Sequence, residues 1–246
     1  MTPRTPLAFL AACAAALMTR ARLVACVAAI MLPATTARAD CFCRLLQQGT
    51  AWLHYETSAL RAIDDTRPAA PRDLALAGVR VHLLATGRST FGLHAGLDLA
   101  AGSALRPAGL AYDVALFPLG IGARLGRTSV LTLGAGIGAL GATTALDDAT
   151  TFPIEANAEL GGRLRILARA RVSYIVGAAS RTTARNAPFG DELDTTLAIR
   201  LGHTWDDFGF PSSAGYFLGI SYRELATTRF LGITIGYSLD ASARTR

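Results

Sequence analysis

The sequence predicts an all-β chain: an antiparallel up-and-down transmembrane β-barrel of about ten strands, with eight as the alternative count. Three observations predict it. Segments of about ten residues alternate apolar with small or polar side chains, and turn-forming residues separate them. Ionisable residues in those segments fall on the parity opposite the leucines. Short and long spacers follow one another in turn, as the two ends of such a barrel require.

The chain opens with a stretch that does not belong to the fold. Residues 1–39 carry arginines and no acid, then the apolar run Leu23 to Leu32, then Ala37-Arg38-Ala39. That order is a secretory signal peptide cleaved before Asp40, with Met18 as an alternative start. The competing reading is an uncleaved anchor, but each apolar run is shorter than the roughly 20 residues a spanning helix needs. A short N-terminal segment, 40–49, precedes the barrel at 50–239, and 240–246 forms a C-terminal tail.

Removing the leader changes the charge argument. All 24 basic residues are arginine, and Arg4, Arg20, Arg22 and Arg38 leave with it, so 20 arginines remain against 18 acids. A formal +2 without a basic cluster excludes nucleic acid as a partner. Cys13 and Cys26 also leave. Cys41 and Cys43 are too close in sequence to bridge without strain, and no second pair offers zinc-site spacing.

Taken in order, the strands read as follows. Thr50–Leu60 (TAWLHYETSAL) is the first, required so that both termini share one end. Leu74–Ala85 sets Val79, Val81 and Leu83 against Gly78, Arg80 and His82. Past TGRST, the stretch FGLHAGLDLA sets Leu93, Leu97 and Leu99 against His94, Gly96 and Asp98. Gly109–Leu125 carries Asp113 and Arg124 and changes parity at Phe117-Pro118, where a proline inside a strand marks a bulge or an edge. Ser129–Ala142 contains the run GAGIG, a strand lining, since no helix follows to make it a phosphate loop. Pro153–Leu167 has the clearest polar stripe: Glu155, Asn157, Glu159, Arg163 and Arg165. A turn at Ala168-Arg169-Ala170 leads to Arg171–Arg181. Leu193–Trp205 with Arg200, Ala214–Glu224 and Arg229–Leu239 complete the set. Connections 102–108, 143–152 and 182–192 are the longer ones, and 61–73 is the first outer loop.

The solvent facing the leucines decides between lipid and a ligand cavity. A soluble lipocalin-like barrel turns its apolar face inward and needs a charged outside. Charged residues make up only 17% of this chain, against about 25% for soluble domains. Several polar-parity faces are glycine, alanine and threonine, which suit a crowded interior. A lipid-facing charge at mid-bilayer costs roughly 2–4 kcal/mol, so segregation is what a membrane barrel demands. Trp52, Tyr55, Phe91, Phe152, Trp205, Tyr216 and Tyr237 fall near strand ends, as aromatic girdles do.

With these features, residues 50 to 239 resemble the small outer-membrane β-barrel proteins of Gram-negative bacteria, in architecture and without a diagnostic motif. The last strand, RFLGITIGYSL, resembles the assembly signal of that class, with Gly232 before alternating apolar residues and Tyr237. It departs from the pattern because DASARTR follows. The resemblance implies a cell outer-membrane location, with outer-membrane lipid and the barrel-assembly machinery as partners. It also implies a structural, binding or narrow, porin-like transport role exercised through the polar lumen and outer loops.

The expected lumen-lining residues are Arg80, His82, His94, Asp98, Asp113, Arg124, Glu155, Asn157, Glu159, Arg163, Arg165 and Arg200. If paired residues in the TGRST hairpin sum to 176, His82 lies across from His94. Two facing imidazoles can hold a metal or respond to pH. With no third ligand fixed, polar filling beside Asp98 and Arg80 is the preferred reading, and no metal or cofactor is expected. An outer-membrane enzyme, a protease or a lipid A-modifying hydrolase, is the alternative class. No Ser-His-acid spacing supports it, and Asp147-Asp148 reads as a solvated loop tip. A soluble periplasmic ligand-binding barrel is the other alternative.

Overall fold

The structure is a computed structural model that describes residues 49–63, 72–87, 89–105, 109–126, 129–142, 146–162, 164–176, 192–207, 210–225 and 228–242. The proposed leader and Arg163 lie outside the described residues. Ten strands follow in order: β1 (Gly49–Ala62), β2 (Asp73–Ala85), β3 (Phe91–Leu105), β4 (Gly109–Leu125), β5 (Ser129–Ala142), β6 (Leu146–Gly161), β7 (Leu164–Val176), β8 (Glu192–Asp207), β9 (Phe210–Leu225) and β10 (Thr228–Ser242). Each pairs antiparallel with its sequence neighbours, and β1 pairs with β10 to close the barrel. TAWLHYETSAL is therefore the closing strand, and the count is ten rather than eight.

Alternation decides which way each side chain points. Leu93, Leu119, Leu197, Ile199, Tyr216 and Ile233 are exposed on the outside, while Arg80, His82, Asp98, Glu155 and Arg200 are buried within. This is the reverse of a soluble ligand-binding barrel. Closure leaves no unpaired sheet edge, which is the condition for a sheet to stand in hydrocarbon. Strands of 13 to 17 residues exceed the roughly 9–11 that a tilted strand needs to cross a bilayer, so they project beyond it.

Strand length also corrects several boundaries. The connection expected at 102–108 shrinks to 106–108 because β3 continues to Leu105. That at 143–152 shrinks to 143–145, which places Asp147-Asp148 in β6 and not in a loop tip. β10 runs on to Ser242, so Asp240 belongs to the barrel and not to a tail.

The turn expected at 168–170 instead falls between Gly161 and Leu164. Leu160 pairs with Ile166, so outward parity passes through this turn unbroken and the sequence pattern carries no trace of it. Gly161 takes a positive φ of 117° there, a conformation that suits glycine. Ala168, Arg169 and Ala170 lie inside β7, with Arg169 on the inner face.

The parity change at Phe117-Pro118 is a bulge. The β4–β5 register slips between Leu116 and Leu119, leaving Phe117 fully buried and Pro118 outside. Paired residues in the β2–β3 hairpin sum to 178, two more than expected. His82 therefore faces Gly96, His94 faces Leu84, and Arg80 faces Asp98.

The interior packs in layers. A cluster that includes Leu60, Leu74, Leu140, Ile175, Leu225 and Phe230 closes the end opposite the termini. Smaller groups, Trp52 with Leu84 and Val130, and Leu167 with Ala198 and Phe217, sit deeper.

Candidate functional site

Below the apolar cap, the interior is a stack of ion pairs. In the uppermost layer Arg223 reaches Asp113 at 2.8 Å and also pairs with Glu192. Arg171 bonds Asp113 and lies 3.4 Å from Glu192. The next layer joins Arg80 to Glu56 at 3.1 Å and Arg169 to both oxygens of Asp194 at 3.1 Å. Nearest the termini, Arg200 bonds Asp240 at 2.7 Å and Ser213 at 3.1 Å, and Arg165 pairs with Asp240 and Glu159. His54 meets Glu159 at 2.9 Å.

Beside this stack runs a chain of imidazoles. His94 Nε2 lies 2.9 Å from His82 Nδ1, and His82 Nε2 lies 2.8 Å from Asp98 Oδ1. Glu155 Oε1 is 4.0 Å from the same His82 nitrogen and accepts a bond from Asn157 at 2.7 Å. Trp52 stacks on both rings, with centroids 5.5 Å from His82 and 6.0 Å from His94. Trp52 is thus a lumen residue, not a girdle residue. The histidines meet diagonally: the two-residue shift in register moves them out of direct pairing, yet their side chains still stack.

Glycine makes room for these rings. A Cβ at Gly96 would come within 2.6 Å of His82 Nδ1, and one at Gly120 within 2.7 Å of His94 Nδ1. Gly96 and Gly120 are thus sockets for the imidazoles of neighbouring strands.

Arg80, His82, His94, Asp98, Asp113, Arg124, Glu155, Glu159, Arg165 and Arg200 are all buried, and Asn157 is half-buried. Arg124 sits on β4 opposite Val130, toward the end that carries the termini. Sequence reasoning missed His54, Glu56, Arg169, Arg171, Glu192, Asp194, Ser213, Arg223 and Asp240. Parity alone marks most of them as inward: Arg223 alternates with Tyr222, and Glu56 with Tyr55 and Thr57. Asp240 was hidden by the strand boundary and Arg169 by the misplaced turn.

Among the described side chains, eight interior carboxylates (Glu56, Asp98, Asp113, Glu155, Glu159, Glu192, Asp194 and Asp240) face seven guanidiniums (Arg80, Arg124, Arg165, Arg169, Arg171, Arg200 and Arg223). Little space is left between them. The cavity beside Arg80, Asp113 and Arg171 measures about 30 Å³, and the one between Trp52, His54 and Arg169 about 40 Å³. Each is the size of one or a few waters.

A closed, even-stranded antiparallel barrel with an apolar outside and a charged inside has the architecture of outer-membrane β-barrel proteins. The chain matches no protein family and no curated protein sequence. Similar solved structures include outer membrane phospholipase A from Escherichia coli, at 11% identity and a TM-score of 0.31, covering 79% of this chain and 90% of that one. They also include the β-domain of the Bordetella autotransporter BrkA, at 11% identity and a TM-score of 0.36, covering 78% and 98%. The likeness is one of barrel architecture.

Proposed function

We propose that this protein is an integral outer-membrane barrel with a closed interior, acting as a structural or binding element rather than as a porin-like conduit or a lipid-modifying hydrolase. The observation that carries this reading is the filled lumen. Paired charges run along it, an apolar cluster seals one end, and among the described residues the cavities beside Arg80 and between Trp52 and Arg169 are water-sized. A conducting pore needs a continuous polar path, and charge rings tune such a path only where it is open.

Catalysis on lipid is disfavoured on the same ground. Asp98 and His82 form an acid–imidazole pair, but a second imidazole stands where a nucleophile would be, and Trp52 covers both rings. On this reading the protein contacts outer-membrane lipid all round, is inserted by the barrel-assembly machinery, and engages any ligand from its loop-bearing end.

Planar-bilayer recording of the folded protein tests the proposal. The expected result is membrane insertion without steady ion conductance. Reproducible stepwise conductance would overturn it.

A further inference from the structure

We propose that His82, Asp98 and Glu155 form a binding site for a divalent transition-metal cation inside the barrel, with His94 as the outer-sphere partner that orients His82. The proposal stands on the interior geometry and holds whether or not the barrel conducts.

The donor set comes from three strands. One nitrogen of His82 and one oxygen each of Asp98 and Glu155 lie within 4.8 Å of one another, and all three residues are buried. The His82 nitrogen is 2.8 Å from Asp98 and 4.0 Å from Glu155. These separations bracket the ~3.3 Å edge of a tetrahedron whose ligands stand about 2.0 Å from a zinc ion. One imidazole with two carboxylates suits borderline cations, and a fourth position remains for water.

Two of the candidate ligands and the outer histidine also carry unmet bonding capacity. Asp98 Oδ2, Glu155 Oε2 and His94 Nδ1 are buried without a hydrogen-bond partner. Glu155 is 1% exposed, and among the described residues no guanidinium reaches it within ion-pair distance. Arg171 stands opposite Glu155 in register without closing an ion pair to it, a buried carboxylate lacking a direct partner is costly, and among the described side chains interior carboxylates outnumber guanidiniums. A divalent cation at this point supplies the direct contact with positive charge that Glu155 lacks.

His94 completes the arrangement. When His82 Nε2 carries the metal, Nδ1–H donates to His94 Nε2 at 2.9 Å, the outer bond that fixes a ligand's tautomer and ring orientation. Trp52 stacked on both rings holds that geometry.

The test folds the full chain from denaturant into detergent with zinc or cobalt, removes free metal, and measures metal per chain. Cys41→Ser with Cys43→Ser, together with Cys13→Ser and Cys26→Ser, removes thiol ligands. Glu155→Gln and Asp98→Asn, confirmed as folded by heat-modifiable gel mobility, remove the site. One zinc per chain in the thiol-free protein, with affinity weakened at least about tenfold in either site variant, is expected, as are visible cobalt d–d bands of low coordination number. Should both site variants fail to fold, the cobalt spectrum of the thiol-free protein decides. No retained metal and no such bands, or zinc binding unchanged by both site variants, would overturn the proposal.

Discussion

Arg200, at 1% exposure, shows how a single side chain is held in this lumen. Its guanidinium bonds Asp240, Ser213 and the Ser238 carbonyl, so both terminal nitrogens are anchored to the wall. Breaking a buried pair leaves the remaining charge uncompensated and costs about 3–5 kcal/mol. Asp240→Asn, which strips two arginines of their shared carboxylate, is expected to destabilise the barrel by about that amount, read as a lowered urea midpoint in micelles. The glycine sockets give a sharper contrast. Gly96→Ala pushes a methyl group against His82 and is expected to cost about 1–3 kcal/mol as overpacking. Gly162→Ala meets nothing within 4 Å and is expected to stay within about 0.5 kcal/mol. Equal effects in the same urea titration would refute the socket reading.

Each strand presents two solvents with two requirements. β8 sets Leu197, Ile199 and Leu201 outward and Asp194, Ala198 and Arg200 inward, so one strand meets both lipid and ion pairs. Ile199→Arg places a charge in the apolar band and is expected to cost about 2–4 kcal/mol if mid-bilayer. Vesicle-based unfolding checks this, and a negligible change would put β8 outside the hydrocarbon. Most strands were legible because alternation with period two is a property of the backbone itself. Their ends were not. The β6–β7 turn preserves parity and so erases its own signal, whereas the bulge at Phe117-Pro118 reverses parity and announced itself.

At the scale of the whole barrel, closure is redundant. The apolar cap and the ion-pair layers are separate obstructions, so opening one leaves the other. Phe230→Ala removes the largest cap residue and is expected to cost about 3–5 kcal/mol while conductance stays absent. Conduction by this variant would make the cap the sole barrier. The intact fold is expected to migrate differently on a gel before and after boiling, because closure by the β1–β10 pairing resists detergent. Identical mobility with retained β-structure would argue against a closed membrane barrel.

The sequence by itself determined the class of fold, the face each strand turns outward, the parity change in β4 and the polar character of the interior. All of these follow from side-chain alternation and the cost of charge in lipid, which act locally along each strand. Only the tertiary structure decided which charges meet. Register between strands, the β1–β10 closure and the reach of long arginines across the lumen brought Asp240 to Arg165 and Arg200 from distant positions. The same three-dimensional facts joined Glu155 to a histidine chain that the sequence showed only as two imidazoles without a third ligand. Side chains that meet across a narrow barrel belong to strands far apart in sequence, and the hydrophobic pattern of one strand carries no information about its partner's register.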